Sequence, residues 1–338
     1  MYRIVKLSVL LSMVSLVAAC GGGGGGGSSS SAAPPPVSTG AVAITAANAA
    51  TAAGAVDNSV VFATGAGTQA ARAPTAAVVT VTGNQFNIAE FSNTVFQTIE
   101  SLRGQLTPTA IGAIITKSSA CSGGGSIDVA LDDIDNNGVL STGDTLTLLY
   151  NNCTVSGTTV SGGLSISGFT SAKPSTVAFT TTGRISFNSF AYSDGATTGT
   201  MTGTIDFSVS TSDGNIVNST ISNGSLSVTK PGATLTLSGY SINQTKNGST
   251  GAYTLSASGT VTSSALGGTV TFTTTTPYQG TGTANPSSGA IKITGAGSSS
   301  VTLTALDSTN IRLDVDSNGD GIVEPPPISM TWAMLDIF

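Results

Sequence analysis

Apolar and polar residues alternate one by one along most of the chain beyond residue 126. In "GTIDFSVSTS", Ile205, Phe207 and Val209 fall on one side and Thr204, Asp206 and Ser208 on the other. "NIRLDVD" repeats the pattern with Ile311, Leu313 and Val315, and "GGTVTFTTTT", "GAIKITGAG" and "SVTLTAL" follow it. A period of two, with one apolar and one hydroxyl-rich face, predicts antiparallel strands solvated on one side. Clusters such as "SDG", "TSDGN", "SNG" and "KNGS" supply the turns between them. Roughly a dozen strands are expected between residues 119 and 338.

Residues 41–118 read differently and are expected to be partly helical. The stretch "NIAEFSNTVFQTIESLRGQL" (87–106) has Ile88, Phe91, Val95, Ile99, Leu102 and Leu106 at spacings of three and four, one stripe of a helix. Asn87 is placed to cap it, Glu90 completes a capping box, and Thr107-Pro108 ends it. The alanine-rich "TAANAATAAGAVDNS" (45–59) offers a second, weaker helix capped by Thr45 and weakened by Gly54. An antiparallel sheet of this size cannot stay flat. The expected fold is mainly β with a minor N-terminal α part. It is a large curved antiparallel sheet, open barrel or sandwich with one or two helices packed against it, helix 87–106 on the concave side. The whole of 41–338 is expected to be one domain. A loose repeat pairs "TTVSGGLSIS" (158–167) with "STISNGSLSV" (219–228), and "ISFNSFAYSDG" (185–195) with "LTLSGYSINQT" (235–245).

The first twenty residues stand apart. Arg3 and Lys6 precede an apolar run from Leu7 to Val17, too short to span a bilayer. That is the layout of a secretory signal, here residues 1–19. Its end, Val17-Ala18-Ala19-Cys20, resembles the lipobox of bacterial lipoproteins. The resemblance implies cleavage before Cys20 and acylation of that cysteine. Gly21 to Gly27, Ser28 to Ser31 and Pro34 to Pro36 then form a linker over 20–40 that holds the body off a lipid surface. The absence of Asp after the cysteine favours, by the same resemblance, the outer membrane of the cell envelope, on its periplasmic face or at the cell surface.

Charge narrows the functions. Charged residues make up 8% of the chain and histidine is absent. Removing residues 1–19 takes two of the eleven basic residues and none of the seventeen acidic ones, leaving a net charge of −8. Nucleic acid is a poor partner for such a surface. Without histidine there is no Ser-His-Asp triad and no His-ligated zinc, and no other catalytic constellation stands out, so no enzymatic activity is expected. Cys121 and Cys153, left as an even pair in an oxidising compartment, are expected to form a disulfide.

The acids are concentrated, five in 128–144 and five in 307–324. The first window, "DIDNNGVLSTGD", resembles the twelve-residue calcium loop of EF-hand proteins. Asp133, Asp135 and Asn137 match positions 1, 3 and 5, Gly138 the sharp turn, Val139 the carbonyl ligand, Ser141 position 9 and Asp144 position 12. Its flanks read as strands, so a calcium loop within a hairpin is expected. The second window, "DVDSNGDGIVE", places Asp316, Asn318 and Asp320 at the same spacing, followed by Gly321, the Ile322 carbonyl and Glu324, and resembles the shorter loops of dockerin-like and thrombospondin-like repeats. Its twelfth position is Pro327. Ca²⁺ at both loops, in a structural role, is the implied cofactor.

"ISMTWAMLDIF" resembles the last strand of an outer-membrane barrel, but Asp336 shares a face with Trp332 and Phe338 and the strands lack aromatic girdles. It is expected to complete the sheet with Trp332 in the core. Together these observations describe a lipid-anchored, calcium-stabilised binding or structural module of the envelope. Two rivals remain open: a carrier of a lipid or other hydrophobic ligand, and a surface adhesin or matrix component.

Overall fold

A computed structural model describes residues 40–70, 114–136, 140–155, 158–172, 178–193, 198–222, 224–282 and 284–335. The expected signal peptide (1–19), Cys20, the expected linker up to residue 39 and the expected helix 87–106 lie outside the described residues.

Helix α1 (Ala49–Ala70) is followed by fifteen strand segments. They are β1 (Ile114–Ala120), β2 (Ser126–Asp132), β3 (Thr145–Val155), β4 (Thr158–Ala172) and β5 (Phe179–Ser193). Next come β6 (Thr198–Thr211), β7 (Ile216–Ser222), β8 (Ser225–Lys230), β9 (Ala233–Asn247) and β10 (Ala252–Ser263). The last are β11 (Gly268–Thr281), β12 (Ser288–Thr294), β13 (Ser300–Ala305), β14 (Asn310–Asp316) and β15 (Ile328–Thr331). All belong to one antiparallel sheet in which neighbours in sequence are neighbours in space. Both β7 and β8 lie between β6 and β9, pairing with different stretches of each, so they are two halves of one strand position. Among the described residues β1 and β15 are the two ends of the strand order and do not pair with each other.

The period-two reading holds in detail. Ile205, Phe207 and Val209 are 0–3% exposed, as are Ile311 and Leu313, with Val315 at 4%. The outer face carries cross-strand hydroxyl pairs, among them Thr262 with Thr269 at 2.9 Å and Ser227 with Thr236 at 3.0 Å. A chain this poor in charge solvates its outer face with Thr and Ser, which also suit the strand backbone.

The sheet curls around α1. This helix touches β6, β7, β9 and β10 and also β12, β13 and β14. Residues 52–56 are all buried, and five consecutive helical residues at about 100° steps point to every side, so that part of the helix is covered all round, with strands of both groups against it. The sequence suits that place. Ala49, Ala52, Ala53, Ala55, Val56 and Ala63 are all at most 3% exposed and join one core with strand residues from Ile127 to Val315. Small side chains let strands close on several sides of the helix, while Val61 stays 62% exposed. Thr45 accepts the Ala49 N–H through its carbonyl, and Asn48 Oδ1 reaches back to the Thr45 N–H at 2.8 Å, so the side chain at the helix start is that of Asn48, where Thr45 was the expected cap. Helix α1 is thus one of the one or two helices expected to pack against the sheet, and the expected helix 87–106 lies outside the described residues.

Bulges supply the curvature. Asn152 in β3, Ser189 in β5 and Gly239 in β9 have φ of 49°, 49° and 53°, and at each the register to a neighbouring strand shifts. An extra residue on one strand increases local twist and bends the ladder. Ser189 and Gly239 are the fifth residues of the two segments "ISFNSFAYSDG" and "LTLSGYSINQT", so the loose sequence repeat is a repeat of bulge position. Gly162 (φ +99°) lies beside the Ser189 bulge, where a Cβ would come within 2.2 Å of the Ser189 carbonyl oxygen.

Both ends of the described chain are tied in. Gly40–Val42 runs parallel to the start of β11, with Thr269 N–H donating to Gly40 O at 3.0 Å and Ala296 N–H to Val42 O at 2.9 Å. After β15 the chain turns into a short 3₁₀ segment, Trp332–Met334. Trp332 is 4% exposed, packs edge-on to Tyr278 at 5.9 Å, and donates its indole N–H to Asp307 O at 3.2 Å. Asn58 of α1 donates to Leu335 O at 3.3 Å, which fixes the end of the chain to the helix. Among the described residues no helix is long and apolar enough to cross a membrane.

Candidate metal centre

The β2–β3 hairpin carries the first acidic loop at one end and the disulfide at the other. Cys121, just before the β1–β2 turn, is bonded to Cys153 of β3 with their Cα atoms 5.4 Å apart. Asp132 pairs with Thr145 at the opposite end, and between them lies the loop 133–144.

Within that loop Asp144 reaches back. Its Oδ1 accepts the Ile134 N–H at 2.9 Å and its Oδ2 the Ser141 N–H at 2.6 Å. Ser141 Oγ in turn donates to Asp135 Oδ2 at 2.9 Å. The result is convergence: oxygens of Asp133, Asp135 and Asp144 all lie within 4.8 Å of one another. Oxygens bound to one Ca²⁺ at about 2.4 Å lie at most about 4.8 Å apart, so the spacing suits a single hard cation. Asp133 and Asp144 are 1% and 0% exposed, while Asp135 is open to solvent. Three like charges held this close favour any cation that neutralises them. The loop is also tied to the next hairpin, since Gly143 N–H donates to Phe169 O at 2.9 Å and Ser171 N–H to Thr142 Oγ1 at 2.9 Å. Asn137, Gly138 and Val139 lie outside the described residues.

The second loop follows β14 and lies at the other end of the sheet. Asp316, 5% exposed, turns its carboxylate forward onto the loop, accepting the Gly319 N–H at 2.8 Å and the Gly321 N–H at 2.9 Å. Asn318 Oδ1 accepts the Asp320 N–H and Asp320 Oδ1 the Ile322 N–H. Glu324 accepts the Ser317 N–H on both oxygens at 2.9 Å and the Ser317 hydroxyl at 2.7 Å, and these bonds hold its carboxyl below the ordinary glutamate range. Asp316, Asp320 and Glu324 thus each bond the loop itself, and they do not converge as the first three acids do.

Of the sequence-predicted ligands, the structure gathers Asp133, Asp135, Ser141 and Asp144 and leaves Asp316, Asn318, Asp320, Ile322 and Glu324 as a self-bonded turn. The anchoring of the first loop to Phe169 and Ser171 of β4 had no signal in the sequence, because neither residue belongs to a pattern. Comparison of the chain with protein-family models, with curated proteins and with solved structures finds no match.

Proposed function

We propose that this protein is a lipid-anchored module of the bacterial cell envelope whose sheet is braced by a divalent cation, Ca²⁺ before others, held by Asp133, Asp135 and Asp144. Its role is binding or structural, not catalytic. The observation that carries the metal reading is the convergence of those three carboxylates at the end of the β2–β3 hairpin. The lipid reading rests on Val17-Ala18-Ala19-Cys20 and the Gly/Ser run behind it. The concave face of the sheet is packed with α1 side chains, which weighs for a binding or structural module and against a carrier, since a hydrophobic ligand there would have to displace the helix.

Calorimetric melting of the purified protein with and without millimolar Ca²⁺ tests the metal. A melting point that rises with Ca²⁺ in the parent and stays constant in Asp135→Asn supports the site. Identical melting in both conditions removes it. Surface labelling of intact cells separates an adhesin from a periplasmic element.

A further inference from the structure

The β14–β15 loop places two exposed apolar side chains at the end of the sheet where the N-terminal chain enters. Ile322 is 70% exposed and Val323 is 44% exposed. The chain enters at Gly40, whose carbonyl accepts the Thr269 N–H at the start of β11. Val42 O accepts from Ala296, in the β12–β13 turn, and the next residue of that turn, Gly297, packs on the β14–β15 loop. Its oxygen lies 2.5 Å from where a Gly319 Cβ would sit. One turn therefore separates the chain's point of entry from the loop. Gly40–Val42 runs parallel to β11 from its start, so Gly40 stands at this end of the sheet.

Two of the loop's three carboxylates turn back on it, Asp316 and Glu324 being bonded to Gly319, Gly321 and Ser317. Asp320 is exposed, with Ser317 and Asn318, and bonds the Ile322 N–H. Ile322 and Val323 are the apolar side chains that the loop presents outward beside them. We propose that Ile322 and Val323 form a second membrane contact, seated in the interface of the bilayer that holds the acylated Cys20. The inference rests on the lipid-anchor reading. Twenty residues separate Cys20 from Gly40, and a Gly/Ser-rich chain of that length has an end-to-end distance of about 25 Å. A lipidated Cys20 thus keeps a bilayer within reach of this end of the sheet, the end nearest the point of entry. The acyl chains supply affinity, and the tip sets which end of the body faces the lipid.

The test uses the full-length protein, lipidated in a bacterial host and bound to phosphatidylethanolamine–phosphatidylcholine vesicles. Cys20 is acylated and Cys121 is bonded to Cys153, so Ile322→Cys gives a single free thiol for an environment-sensitive fluorophore. Leu306→Cys, 49% exposed in the turn at the other end of the sheet, is the control. A blue-shifted emission at 322, quenched about twofold more than at 306 by nitroxide-labelled lipid, supports the contact. Equal, water-like emission at both sites on floating vesicles overturns the contact and leaves the anchor standing. A protein that does not float with the vesicles, and whose N-terminal peptide carries no acyl mass, overturns the anchor and this inference with it. Amide exchange of the unlabelled protein over 317–324 guards against an effect of the label: slower exchange on vesicles supports the contact, and unchanged exchange counts against it.

Discussion

In the loop after β2, an acid at the far end reaches back: Asp144 takes N–H groups ten and three residues before it. In the loop after β14, an acid at the near end reaches forward: Asp316 takes N–H groups three and five residues after it. Both loops start with the same Asp-x-(Asp/Asn)-x-(Asp/Asn) spacing. The second loop has a reach from behind as well, since Glu324 takes the Ser317 N–H seven residues before it. What separates the loops is convergence: in the first, three carboxylates come to one point, and in the second Asp316 and Glu324 bond separate backbone N–H groups. The twelfth position differs too, Asp144 in the first loop and Pro327 in the second.

The largest expected effect tests how the first loop's hairpin is braced. Replacing Cys121 and Cys153 by Ser should cost about 3–4 kcal/mol in urea unfolding, from the chain entropy of a loop with sequence separation 32. The Ca²⁺ response should survive, since the disulfide holds the other end of the hairpin. Its loss would mean that the two ends are coupled. Next, Asp144→Ala leaves the Ile134 and Ser141 N–H groups without their acceptor and should cost about 3 kcal/mol even without metal, as well as abolishing the Ca²⁺ response. Asp316→Ala should cost about 2 kcal/mol by the same argument, and that cost should be the same with and without Ca²⁺. A Ca²⁺-dependent cost at Asp316 would erase the contrast between the loops. Asp135→Asn is the sharpest test, because this exposed residue should change metal-free stability by less than about 0.5 kcal/mol and yet weaken Ca²⁺ binding about tenfold in a titration.

The smallest effect is acid sensitivity. Hydrogen bonds hold Glu324, Asp307 and Asp213 below their ordinary values, Glu324 through Ser317, Asp307 through Asn310 and Asp213 first through the Ile216 N–H. A depressed carboxyl contributes stability above its unfolded value and loses it as pH falls through the folded one. Thermal melting should therefore decline below the ordinary glutamate value of 4.5, and Glu324→Gln should flatten that decline. An unchanged slope in Glu324→Gln would show that its bonds to Ser317 do not hold in solution.

The strands were legible because alternation survives in single residues: Ile205, Phe207 and Val209 could only face inward. The disulfide was legible by elimination, and the first loop by its spacing. Helix α1 was legible in part: the alanine-rich 45–59 reads as a helix, but its run to Ala70 and its place in the core do not, because alanines on several sides leave no single stripe. Two features were not legible. Asn152 and Ser189 are ordinary strand residues by type, and only the register to the next strand makes them bulges. The two acidic windows look alike because ligand spacing is local, while their difference lies in hydrogen bonds made after the chain has turned.

The enclosure of α1 has a consequence for how the chain comes into being. The helix is made early, yet β14, one of the strands that cover it, follows roughly 250 residues later. Contacts so distant in sequence slow folding, because the entropy of closing the intervening chain is lost before they form. The helix alone is short of partners, and an alanine-rich segment of this length is marginal in water. Assembly must then be a late, concerted event. A chain cut before β12 would keep α1 against β6, β7, β9 and β10 but leave uncovered the side that meets β12, β13 and β14. Such a product should be digested by protease where the complete protein resists.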